Sequence, residues 1–160
     1  MAQRLLWPTI QLIVLAVWIG AAIFFSAAVA PVLFRVLPTR ALAGEAVAGM
    51  LPVVFYSGIV AGLLVLLVEL TSDDGHPWSG RTVAAVVMIL ACAIAQWFIA
   101  PRIARVRDAI AGPVDALPVS DPRRAAFGRL HGLSVGWLGI AILAALVALV
   151  LVARTFQTRR

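Results

Sequence analysis
The chain contains no lysine, one cysteine, one tyrosine and two histidines, and only 7 of its 160 residues are acidic. A lone cysteine, Cys92, cannot close an internal disulfide, which excludes a disulfide-stapled secreted module. Charged residues make up 12% of the sequence while the AVILMFWYC set makes up 63%; ordinary soluble domains carry about 25% charge. A single small domain has too high a surface-to-volume ratio to hide that much apolar surface. A soluble globular enzyme and a disordered chain are therefore both excluded, and an integral membrane protein remains. The net charge of +6 is carried entirely by Arg. These arginines flank the apolar runs, as residues bordering membrane spans do, so nucleic acid is not an expected partner. The missing lysine reads as a compositional bias toward Arg and Ala.

Four apolar stretches are long enough to cross a membrane: residues 10–30, 51–68, 82–100 and 133–153. Each approaches the ~20 residues that cover ~30 Å of hydrocarbon at 1.5 Å per residue. Backbone polar groups have no water to bond in that layer, so the spans are predicted to be helices. The alternating segments of a membrane β-barrel do not occur. The expected fold is an all-α integral membrane protein, one four-helix transmembrane bundle over residues 1–160. Arg4 and Ala28-Val29-Ala30 mimic a signal peptide, but the run is too long and Pro31 follows the small residues, so the first span is expected to be retained.

The connections carry local signals. Thr39 is placed to cap a helix running into the second span, with Pro52 expected to kink it. Thr71 to Arg81 is rich in turn residues and predicts a tight antiparallel hairpin between spans two and three. Asp121-Pro122 reads as a cap followed by Pro at the first helical position, from which one helix continues through Leu130 into span four. Loops one and three hold Arg35, Arg40, Arg102, Arg105, Arg107, Arg123, Arg124 and Arg129, against Arg4, Arg81, Arg154, Arg159 and Arg160 on the other side. That imbalance favours loops one and three in the cytoplasm, and the expected setting is a bacterial inner membrane. Trp7 and Trp78 mark one interface; Tyr56, Trp97 and Trp137 lie nearer the other.

A repeat is visible at a shift of 70. Val29-Ala30-Pro31-Val32-Leu33-Phe34-Arg35-Val36 aligns with Ile99-Ala100-Pro101-Arg102-Ile103-Ala104-Arg105-Val106. Gly58 and Gly62 in span two, and Gly132 and Gly136 in span four, give each second helix a small-residue face. Two parallel helical hairpins related by an axis along the membrane normal would produce this pattern. Ala22, Ser26 and Ala30 add a small-residue stripe on span one, of the kind that lets helices approach closely in lipid.

Residues able to carry chemistry are few. Met88, Cys92 and Gln96 share a helical face; Met and Cys suit a soft metal ion, but also serve as adaptable packing, and packing is the preferred reading. His76 and His131 fall at opposite membrane faces, which excludes a shared metal within one chain. With no catalytic motif, neither an enzyme nor a cofactor is expected. Glu69 and Gln11 are read as solvated groups at the headgroup level. The candidate ligand site is the cluster Arg35, Tyr56, Gln96, Arg105, His131 and Ser134, where forked Arg donors beside His and hydroxyl groups suit a carboxylate, a phosphate or an anionic headgroup.

These segments carry a resemblance. Trp18-Ile19-Gly20, Phe24-Phe25 and Ala30 to Pro38, followed by Pro101-Arg102-Ile103 and Phe127 to Ser134, resemble the transmembrane protein 205-like family in the same order along most of the chain. Leu138 stands where the family pattern has Asn. The resemblance implies a four-helix membrane protein loosely associated with export or resistance, and supplies no catalytic residue. The expected function is binding or assisting transport of a small solute, ion or lipid, as a homo-oligomer. The rival reading is a structural or accessory subunit that joins another membrane protein.

Overall fold
The computed structural model describes residues 2–71, 79–110 and 112–157, with side chains from residue 6 to residue 156 within those limits. Helix α1 (Ala2–Phe24) passes through a π-helical turn (Phe25–Val29) into α2 (Ala30–Val36). Helix α3 (Arg40–Thr71) follows, and α4 (Gly80–Ala93) runs through a second π-turn (Ile94–Ile99) into α5 (Ala100–Asp108). A short 3-10 turn (Val114–Ala116) precedes α6 (Pro122–Gln157). The four spans are thus Leu6–Val36, Arg40–Thr71, Gly80–Asp108 and Pro122–Phe156. They contain the expected apolar runs but are longer, 29 to 35 residues. Helices of that length measure about 45–50 Å, so their ends stand beyond ~30 Å of hydrocarbon.

The helix starts follow local chemistry. The Thr39 hydroxyl accepts from Leu42 N at 3.2 Å, Ser79 Oγ from Thr82 N at 3.1 Å, and Asp121 Oδ1 from Arg123 N at 2.8 Å, with Pro122 first in α6. Each cap satisfies a donor that the helix itself leaves open. The Arg123 guanidinium, 2.8 Å from Asp121 Oδ2, holds that carboxyl below its usual value. Pro52 lies inside α3, which continues through it as one α-helix. In the third connection Gly112 adopts φ +115°, a backbone conformation that a side chain disfavours. Residues 72–78 of the expected hairpin turn, His76 and Trp78 among them, lie outside the described residues, as do Arg159, Arg160 and the Arg4 side chain.

Each span packs beside two others: span one against two and four, span three against two and four. The result is an up-and-down ring of four helices, closed by Leu15, Trp18 and Ala22 of α1, Phe55, Ala61 and Val65 of α3, Met88, Ala91 and Cys92 of α4, and Leu138, Ala141, Ala145 and Ala148 of α6. So many alanines let the backbones come close, and dispersion contacts replace the hydrophobic drive that lipid does not provide. Val17, Phe24, Leu67 and Leu143 point outward and are well exposed, the surface a bilayer covers.

The repeat extends into the backbone. Ala30 N–H bonds Phe25 O and Ala100 N–H bonds Ala95 O, each reaching five residues back and the two lying 70 residues apart in sequence. Each π-turn precedes a proline, whose ring would otherwise press on the carbonyl four residues earlier. Leu15 and Ala85, Trp18 and Met88, Ala22 and Cys92, and Phe25 and Ala95 are buried in pairs at the same shift. The second helices match at a shift of 80, because the third connection is longer than the first: Gly58, Ala61 and Val65 are buried where Leu138, Ala141 and Ala145 are.

This alignment corrects the expected small-residue faces. A Cβ on Gly58 would lie 2.7 Å from Cys92 Sγ and 2.8 Å from the Trp18 ring, and one on Gly62 2.6 Å from Ile89 Cγ1. Gly132 and Gly136 are exposed, with nothing within 4 Å of such an atom. They are not the partners of Gly58 and Gly62 in the repeat. On span one Ala22 is buried, whereas Ser26 is exposed and donates to Ala22 O at 2.8 Å.

Candidate functional site
The polar side chains that the fold brings together lie at the end of the bundle where α1 starts and α3 stops. Glu69 is 3% exposed and Gln11 2%, so the expectation that both are solvated is overturned. Glu69 continues the buried row Gly58, Gly62 and Val65, one helical turn on from Val65, and that register turns its carboxylate inward. Gln11 Nε2 donates to Glu69 Oε1 at 3.2 Å and is within 3.2 Å of Val65 O. Arg81 Nε stands 3.1 Å from Glu69 Oε2. This second contact is an ion pair without an aligned hydrogen bond, and the Arg81 side chain keeps 23% exposure. Three spans therefore meet on one carboxylate. Its two partners occupy equivalent positions of the repeat, 11 and 81, so both hairpins reach the same group.

A buried carboxylate at membrane depth requires compensation, and here a guanidinium and an amide supply it. Thr82 is buried beside this cluster in sequence and shares a 3.0 Å contact with Ser79 Oγ. The arrangement can hold three helix ends together, and it can present one ionisable group to whatever reaches that end.

The six residues expected to bind a ligand are placed differently from one another. Arg35, Arg105 and His131 are exposed, and Tyr56 is 47% exposed on the outer surface. Arg105 Nε bonds Pro101 O of its own helix at 3.4 Å. His131 stacks on Phe127 with ring centroids 6.3 Å apart and planes 7° apart. Ser134 is buried, and Gln96 is half-buried within the second π-turn, its Oε1 enclosed without a hydrogen-bond partner. No hydrogen bond among the described residues joins any two of the six. Met88 and Cys92 are fully buried core side chains, and the described residues contain no group of three potential metal ligands.

Two shallow hollows open on the outer surface near the Arg-rich end. One, of about 320 Å³, lies between α5 and α6 and is lined by Arg105, Val106, Ala109, Pro122, Arg123 and Ala126. The other, of about 620 Å³, runs along α6 over Gly132 and Gly136, with Arg129 and Trp137 at its margin.

A family model described as a domain of unknown function, DUF4149, matches residues 13–111, which takes in most of span one, all of spans two and three, and both charges of the Glu69–Arg81 pair. No curated protein and no solved structure matches the chain. With about three fifths of its length matched, this four-span membrane protein belongs to the DUF4149 family.

Proposed function
We propose that the protein is a structural or accessory membrane subunit, which docks a second membrane helix along the outer face of α6. The observation that supports this reading is the contrast between the two glycine pairs. Gly58 and Gly62 are sealed against Trp18, Cys92 and Ile89, whereas Gly132 and Gly136 leave an open hollow beside Trp137 and Ile140. Close backbone approach is what drives association in lipid, and this face is free to provide it. The partner is a second copy of the chain or another membrane protein, and no reaction chemistry is assigned to the subunit. The proposed setting is a bacterial inner membrane with loops one and three in the cytoplasm. Kinship with the transmembrane protein 205-like family is part of the same proposal.

The second reading, binding or moving a small solute, ion or lipid, is favoured by one observation, the buried Glu69 carboxylate. Gly132→Leu with Gly136→Leu should leave the thermal stability of the single chain within its normal range while abolishing the oligomer or co-purified complex. Loss of solute uptake into vesicles on Glu69→Gln, with assembly intact, would favour the second reading instead.

A further inference from the structure
We propose that the two π-turns form a paired hinge, on which the Arg-bearing arms α2 and α5 swing outward from the bundle and admit water to Gln96. Four observations support it. The turns occupy equivalent places in the two repeats, each closed by a bond five residues long and each followed by proline. Such turns interrupt the regular ladder, and they recur at helix kinks and functional sites. Neither arm contains a single buried residue, although the helices leading into them are buried along one face. Sparse burial of this kind marks the segments that open at low cost. Among the described residues no hydrogen bond joins α2 to another helix, and α5 is joined at its end by Arg123 Nη1 to Ala109 O at 3.3 Å.

The fourth observation concerns what lies at the hinge. Gln96 sits inside the second turn with an enclosed carbonyl oxygen that no group satisfies. An enclosed acceptor without a partner is costly, and movement of the arms relieves it by letting water in from the Arg side. The Glu69 clasp holds the opposite end of the bundle, so the opening is one-sided. Arg35 and Arg105, 70 apart in sequence, ride on the two arms at matching positions.

The test uses the full chain in lipid nanodiscs. Amide hydrogen exchange of Ala30–Val36 and Ala100–Asp108 should run at least tenfold faster than that of Arg40–Gly49 and Pro122–Gly132, helical segments on the same side that lack a π-turn. Deleting Ala28 together with Pro31→Ala, which restores an uninterrupted α-helix in span one, should slow the first arm to the rate of those controls. In a Cys92→Ala background, Gln96→Cys should react with a membrane-impermeant maleimide. Equal exchange in arms and controls, an unchanged rate after the deletion, or an unreactive Cys at 96 in a folded sample would each overturn the proposal.

Discussion

Replacing Arg81 by Ala is expected to destabilise the bundle by about 3–5 kcal/mol, the range seen when one partner of a buried pair is removed. The variant leaves the Glu69 carboxylate 3% exposed with only the Gln11 amide to compensate it. Glu69→Leu alone should cost less, because Arg81 keeps a path to water through its 23% exposed side chain. Removing all three polar groups, with Gln11→Leu, Glu69→Leu and Arg81→Leu, should recover most of the stability lost in Arg81→Ala. A fully apolar replacement of a buried ion pair is often neutral or stabilising. Equilibrium unfolding in mixed micelles measures all of these variants. An Arg81→Ala chain as stable as its parent would show that the clasp does not hold the helix ends.

The second large effect is expected at Gly62. A Cβ there would lie 2.6 Å from Ile89 Cγ1 and 3.4 Å from the Ala85 carbonyl, so Gly62→Leu forces α3 away from α4. Overpacking of this kind costs about 1–3 kcal/mol and occasionally more; the upper end applies here because the overlap is with Ile89 Cγ1, an atom bonded to the branched Cβ near the backbone rather than the free end of a side chain. Gly62→Ala should be rescued in large part by Ile89→Ala, since Ile89 is the nearer obstacle. The same Leu substitution at Gly132 should not destabilise the single chain, since the space around it is open and replacing a glycine inside a helix gains up to about 1 kcal/mol of propensity. Melting temperatures of the four variants in detergent check this ordering.

The spans were legible because the bilayer enforces length and hydropathy together, and the caps at Thr39 and Asp121 because their chemistry is local. Where helices one and three end was not. Pro31 and Pro101 look like terminators, yet each helix inserts a π-turn and continues, since the wider turn accommodates the proline ring. The repeat at a shift of 70 was visible around those prolines, but the insertion in the third connection displaces its second half by 10 further residues. Gly132 and Gly136 stand 74 residues beyond Gly58 and Gly62, a spacing that fits neither shift, and so they are not equivalent.

Burial of Glu69 had a signal that charge alone conceals. Positions 58, 62, 65 and 69 follow a helical period, and the first three are small or aliphatic residues on the packed face. Reading the residue by type placed it in the headgroups; reading it by register places it inside. Gln11 and Arg81 carried the matching signal, because their separation is the same 70 residues that relates the two prolines. The candidate ligand cluster was assembled from residues at one membrane depth. Depth does not specify the angle around each helix, and that angle sends Tyr56 and His131 outward.

The chain is a four-span ring of helices whose two hairpins match at shifts of 70 and 80 residues, clasped at one end by Glu69. The most direct measurement is sided labelling of single cysteines at Thr39, Ser79 and Ser120 in a Cys92→Ala chain, using membrane-impermeant maleimide on sealed vesicles of known orientation. The account predicts that positions 39 and 120 react from one side and position 79 from the other. Labelling of 39 and 120 from opposite sides, or of all three from the same side, would contradict it.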